Sequence, residues 1–488
     1  MGVAMHQSRS RPQAALELRK ARHVTRALAG LGLAALGGTA ALAASPDAAT
    51  GHIALVGGML LDGYGGAPVH HAAILIEGNR IIAAGPATEV PIPADAAVVD
   101  TRGETMMPGM IELHAHLIIV GHGNYERWFH WLDEHRASYP FERVMELSAR
   151  QLLSAGITSA VDLGAPLRES VSVREHIRAG LIPGPRLSVS GPFLIGAIAY
   201  FPPECQIVVH NPQEAARATE ANIRGGVDVI KAHEGLTLED YKAIVAVAHR
   251  YHVKVHAHLY EERDVRNAFE AGVDVLQHVG SAGLPPYSAS LVKDIAESYR
   301  PVVPTAAHRV WVFPATREFP ERLEDPELQH EFPADMWAEL QDSFKRFHTL
   351  AYFENREQEE FFGDASVGQW IRAGAVIGMG SDNGTPLNFH RDALWREAKV
   401  FVDLGMPASR VISALTWVNA RILGKEKELG TIEPGKLADV LIVRGDPLFD
   451  IVALSSIDLV VKDGVAYRGG ARVELGHAAA RASPETAQ

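Results

Sequence analysis

Short apolar runs broken by glycine, asparagine and proline mark residues 52–107. Ile53-Ala54-Leu55-Val56, Ala73-Ile74-Leu75-Ile76-Glu77 and Arg80-Ile81-Ile82-Ala83-Ala84-Gly85 have the composition and length of strands. Glu77-Gly78-Asn79-Arg80 reads as a two-residue hairpin turn. The C-terminal stretch 425–475 repeats the style in Ala438–Val443 and Asp458–Gly464, which predicts that the two chain ends pair as one small β-domain.

Between these ends, residues 108–424 alternate strand-like and helix-like segments. Met110–Leu113 opens a series of short apolar runs at 157–163, 185–190, 227–232, 253–257, 273–278, 301–306 and 375–381. Amphipathic stretches such as Leu238–Arg250 and Glu262–Ala271 separate them. Eight βα units in about 300 residues is the arithmetic of an α/β fold of the (β/α)₈ TIM barrel type. A doubly wound sheet is the alternative, but the glycine-rich phosphate turn that usually marks it is absent after the first strand. The stretch 307–370 exceeds what a βα loop needs and mixes aromatic with charged residues. It reads as a helical insertion at the strand C-termini, a lid over the mouth.

The first 43 residues change the compartment but not the fold. Arg9, Arg11, Arg19, Lys20, Arg22 and Arg26 face one acid, Glu17, and the uncharged run Ala27–Ala43 ends in Ala41-Leu42-Ala43. A basic start, an apolar stretch and a small-x-small site are the parts of a signal peptide, predicting export to the periplasm or medium. An uncleaved anchor is the alternative reading. Once the signal is removed, no stable membrane span is expected. The chain of 488 residues carries a net charge of −13 and a single cysteine, Cys205. An acidic body without a basic block argues against nucleic-acid binding. One cysteine excludes an intramolecular disulfide and a cysteine-based zinc site.

The 23 histidines matter through their positions. His114 and His116 end the first strand as His-Ala-His, and on a strand such residues point to the same face. Lys231 ends the fourth strand, His256-Ala257-His258 the fifth, Gln277-His278 the sixth, and Gly380-Ser381-Asp382 the eighth. Singly, each is an ordinary polar strand end. Together they gather ligand-type residues at one end of one barrel, the pattern of a metal site.

These motifs resemble the amidohydrolase superfamily, in particular its imidazolonepropionase-like and prolidase-like members. The resemblance spans about 52–465. It rests on Met107–His116, Gly226–Lys231, Val255–His258, Ala271–His278, Gly378–Asp382 and the closing Leu429–Asp439 with Asp446-Pro447-Leu448. It implies a β-sandwich built from both chain ends and two divalent metal ions, zinc first, with Mn, Co or Fe as alternatives. His114 and His116 are then ligands of the more buried ion. Lys231, carboxylated by CO₂ to a carbamate, bridges the pair. His256 and His278 hold the second ion, with His256 favoured over His258. Asp382 contacts the first ion and acts as general base and then acid. His258 or His308 is the candidate donor to the substrate carbonyl oxygen.

The implied reaction is cleavage of a C–N amide bond by a metal-bridging hydroxide, in an Xaa-Pro dipeptide, an N-acyl amino acid or an aryl amide. A lactone, ester or phosphotriester is the alternative substrate, and a catalytically silent scaffold the alternative class. Lys231 speaks against a single-metal deaminase. Two departures from the family pattern bear on specificity. Glu112 stands where Asp is usual, and Gly191–Tyr200 replaces a Gly-Gly-His segment with an apolar loop. That loop predicts a pocket for an aromatic or bulky apolar group. The expected partner is a small molecule; homo-oligomers are common in such families.

Overall fold

The computed structural model describes residues 51–475, apart from 200, 282, 308–320, 347–348 and 354–355. The segment 1–43, which the sequence leads one to expect to be a signal peptide, and His308 lie outside the described residues. Among the described residues, no helix is long and apolar enough to cross a membrane.

The two chain ends build a pair of sheets. His52–Val56 lies between Ala72–Glu77 and Ala97–Asp100, and Arg80–Pro86 adds the outer strand. The turn between Glu77 and Arg80 is the expected hairpin, with Gly78 in the left-handed region at φ 57°. The second sheet mixes both ends: Val440–Arg444 pairs antiparallel with Glu104–Pro108 on one side and with Ile457–Lys462 on the other. Apolar side chains from both sheets, including Leu55, Ile74, Met106, Ile442 and Val461, form a common buried core. That is the sandwich arrangement, in which alternate residues of each strand face the opposite sheet.

The middle of the chain is the barrel. Met110–Ala115, Ile157–Asp162 and Arg186–Val189 run parallel in one sheet. Val229–Ala232, Lys254–His258, Val275–Gln277 and Val302–Val303 run parallel in another. The third and fourth strands meet where the Asp228 amide donates to the Val189 carbonyl at 2.8 Å. Helices follow the strands with caps written locally. Thr237 and Asp240 make a reciprocal capping box for Leu238–Arg250, and left-handed Gly272 ends Glu262–Ala271.

Two segments differ from the sequence reading. The expected strand 375–381 makes only isolated parallel bridges, Ile377 to Val302 and nearby Asn383 to Ala115. Gly378 and Gly380 explain the irregularity. A Cβ at Gly380 would sit 2.8 Å from Val303 and 3.0 Å from the His114 backbone nitrogen, so only glycine lets these strands close the ring. Asn419 clamps the segment instead: it accepts from the Met379 amide at 2.9 Å and donates to the Ile111 and Met379 carbonyls at 2.6 and 2.8 Å. Within the apolar loop 191–200, Phe193–Ile195 forms a short strand paired with Gln206–Val208.

The insertion is helical where described, with Pro326–His330, Ala334–Ser343 and Arg356–Arg372 as its α-helices. It docks on the segment that follows the first barrel strand. Arg127 donates to Glu339 at 2.6 and 2.9 Å and to Asp342 at 2.8 Å, and the Gly123 amide donates to Ser343 at 3.0 Å. Arg186, on the third barrel strand, donates to Asp439 and Asp463, tying barrel to sandwich.

Candidate metal centre

Strand register and tight closure bring the expected residues to one mouth. Lys231 and His256 are side-by-side partners on the fourth and fifth strands. His278 follows the sixth strand, Thr305 the seventh and Asp382 the eighth, and all three take left-handed backbones at φ 64°, 52° and 57°. Such conformations are uncommon outside glycine and persist only where surroundings enforce them. For Asp382 the enforcement is visible: its carbonyl accepts from Thr385 Oγ1 at 2.7 Å and Asn388 Nδ2 at 3.0 Å.

Asp382 Oδ1 lies 3.2 Å from His116 Nε2 and 3.5 Å from His114 Nε2. Lys231 Nζ lies 3.3 Å from His114 Nε2. His114, His278 and Asp382 offer donor atoms that all lie within 4.8 Å of one another. A row of rings continues from this cluster. Centroids of His114 and His278 are 4.4 Å apart, His278 and His258 4.2 Å, His258 and His233 4.1 Å, and His233 and Phe193 4.7 Å.

The imidazole tautomers follow from their partners. His114 Nδ1 lies 2.9 Å from Gln277 Oε1, an atom that only accepts. His278 Nδ1 lies 2.9 Å from Thr305 Oγ1, whose own proton goes to the Pro304 carbonyl. Both rings therefore carry their proton on Nδ1 and present a bare Nε2, the arrangement that metal-binding histidines need. Burial, then the nearby Lys231, hold His114 well below the usual imidazole range, so it is neutral at pH 7. Burial also pushes His256 down to about 3 and the Lys231 amine down to about 7.

Glu112 secures the opposite side. Its Oε1 accepts from the His114 amide at 2.8 Å and the Ser381 amide at 2.9 Å. Its Oε2 accepts from the Ser381 hydroxyl and, at 3.0 Å, from Asn383. The longer side chain thus straps the first strand to the eighth segment. Burial raises its carboxyl to about 7 against these four donors. Glu397, on helix Ala393–Asp403, accepts from the Ala306 and Ala307 amides at 3.0 and 2.6 Å, and burial raises it to about 8.

The expected residues His114, His116, Lys231, His278 and Asp382 come together. Of the fifth-strand pair, His258 carries its ring against His278 and its Nε2 lies 3.2 Å from Glu234. His256 is fully buried, two residues further from the mouth, with Nδ1 2.9 Å from Gln277 Nε2. Sequence reasoning missed the roles of Gln277, Thr305, Glu397 and His233. The last had a signal: it stands two residues after Lys231, the same-face spacing that singled out His-Ala-His.

Comparison with known proteins bears on the family and the fold. A family model described as the amidohydrolase family matches residues 105–466. The chain is 24% identical over 455 residues to the 5-methylthioadenosine/S-adenosylhomocysteine deaminase of Symbiobacterium thermophilum, covering 85% of this chain and 91% of that one. Its fold matches that of a Bifidobacterium longum protein described as a prolidase, with TM-score 0.67 and 27% identity, covering 88% of this chain and 96% of the other. It also matches a Xaa-Pro dipeptidase with bound methionine in the active site, with TM-score 0.67 and 23% identity, covering 86% and 100%.

Proposed function

The chain belongs to the amidohydrolase family, and from that membership we propose that it is a binuclear metal-dependent hydrolase of a C–N amide bond. The observation that carries the proposal is the convergence of the His114, His278 and Asp382 donor atoms beside a buried lysine. The donor set fits divalent cations, because partners on Nδ1 leave the Nε2 lone pairs of His114 and His278 facing the cluster.

His114, His116 and Asp382 would hold one ion. Lys231 as a carbamate would serve both, and His278 with a fifth-strand histidine would hold the second. The sequence favours His256 for that last place; we assign it to His258, whose ring packs against His278. Zinc suits these ligands, with Mn, Co or Fe as alternatives. When bound, such a pair acidifies water and polarises a carbonyl. A Lys231 amine lowered to about 7 is about half unprotonated at neutral pH. Its lone pair adds to the carbon of CO₂, one N–H proton leaves to solvent, and the product is an anion in place of a buried cation.

The chain's own groups then position and move protons. Asp382 is the base that takes the attacking water's proton and returns it to the leaving amine. His233 packs beside Phe193. Phe193, Phe201 and Tyr125 continue as an aromatic wall with centroid spacings of 5.4 and 5.5 Å, which favours an aromatic or bulky apolar substituent. The helical insertion docked beside this wall is the proposed lid. The basic and apolar start supports export, and N-terminal sequencing of the mature chain tests cleavage after Ala43.

The deciding experiment is hydrolysis by metal-loaded protein of a panel of Xaa-Pro dipeptides, N-acyl amino acids, aryl amides and lactones. Amide turnover fastest on aromatic or bulky apolar members supports the reading, and turnover confined to small charged dipeptides or to lactones contradicts it. The likeness to a deaminase over most of the chain favours a second reading, deamination. Ammonia release from 5-methylthioadenosine with no amide turnover would establish that instead.

A further inference from the structure

We infer that Gln277 is a positioning residue that imposes opposite tautomers on two buried histidines, leaving His114 a bare Nε2 and making His256 an Nε2–H donor beside Lys231. The inference rests on the metal-site reading above and deepens it.

Gln277 is fully buried, and its amide has one accepting and one donating end. The oxygen lies 2.9 Å from His114 Nδ1. The nitrogen lies 2.9 Å from His256 Nδ1 and 3.4 Å from the Leu113 carbonyl oxygen. Turning the amide over would set its oxygen against the Leu113 oxygen, two acceptors facing each other, so the backbone fixes which end points where. An oxygen takes only donors, so His114 carries its proton on Nδ1. An NH₂ group offers only protons, so His256 Nδ1 must be bare. In a neutral ring the remaining proton then sits on Nε2.

That Nε2 is buried and has no hydrogen-bond partner among the described residues. A buried N–H without an acceptor is rare in folded proteins. Across the ladder from His256 stands Lys231. A plain ammonium there offers only donors. A carbamate offers two anionic acceptor oxygens, so modification of Lys231 supplies the acceptor type that the His256 N–H lacks. His256 thereby supports the modified lysine rather than an ion, and the fifth strand's pair divides into a donor below and a ligand above.

The test is the tautomer itself, read without metal or substrate. Multiple-bond ¹H–¹⁵N correlation on metal-free, ¹⁵N-histidine-labelled protein, assigned with His114→Asn and His256→Asn, distinguishes a protonated from a bare nitrogen. We expect Nδ1–H for His114 and Nε2–H for His256. In Gln277→Glu, where both carboxylate oxygens accept, His256 should switch to Nδ1–H while His114 stays unchanged. Nδ1–H for His256 in the wild-type protein, or no switch in the variant, overturns the inference. Should the variant fail to fold, the wild-type spectrum alone decides. Absence of bound metal in the wild type would defeat the functional reading and leave this tautomer result standing.

Discussion

The wall made by the first strand and the eighth segment and the wall made by the fourth, fifth and sixth strands satisfy their polar groups in different ways. On the first, a carboxylate does the joining: Glu112 accepts four hydrogen bonds across the seam, and Asn388 and Thr385 hold the backbone of Asp382. On the second, stacked rings dominate; buried side-chain atoms without a hydrogen bond among the described residues occur on both, His116 Nδ1 and Asn383 Oδ1 on the first and His256 Nε2 and His233 Nδ1 on the second. The charges differ as well. Both walls hold imidazoles, but the first adds two acids, Glu112 and Asp382, and the second an amine, Lys231. A pair of cations needs negative charge on both sides. The first wall has it in its sequence, and in this account the second acquires it by carboxylation of Lys231.

The sharpest way to break this contrast is to remove the lysine. Lys231→Ala should lower amide turnover by ~10³-fold or more, measured as kcat/KM on the best substrate of the panel. Near-normal turnover would mean that the second wall needs no anion. Metal loading is expected to act on both walls together: zinc at about a thousand times its dissociation constant should stabilise the fold by ~4 kcal/mol, read from urea midpoints with and without chelator. Equal midpoints would remove cations from the account.

Truncations sharpen the comparison wall by wall. Glu112→Ala strands the amides of His114 and Ser381 and the Asn383 side chain, at a cost of roughly 3 kcal/mol in urea unfolding. His233→Ala loses mainly ring packing and should cost roughly 1 kcal/mol. Equal costs would say that the two walls are held alike.

A separate test concerns pH. Glu397 is raised by burial to about 8 from its ordinary 4.5, so its contribution to stability is fully present below about 4.5 and is lost as pH rises through about 8. Against Glu397→Gln, the metal-free wild type should lose relative stability across that window. A difference independent of pH would contradict the assignment.

Much of this contrast was legible in the sequence, for a physical reason. Ligand-type residues end strands, alternate in spacing, and stand beside glycines, so His114, His116, Lys231, His278 and Asp382 could be picked out locally. The Glu77–Arg80 hairpin was equally local. What stayed hidden acts across the barrel. Gln277 touches His114 from 163 positions away, and Glu397 reaches Ala306 from 91, distances over which no periodicity runs. The eighth segment read as a strand because its apolar residues alternate with glycine; those same glycines, chosen for close approach, break its ladder. Glu112 stood out only as an unusual residue, and its strap across the seam is a tertiary fact.

Metal content per chain decides whether the mouth of the barrel holds a pair of cations bridged through Lys231. Wild-type protein and Lys231→Ala, each loaded with zinc in bicarbonate buffer and desalted, are compared by elemental analysis. Two ions are expected per wild-type chain and at most one in the variant. A single ion in both would contradict this.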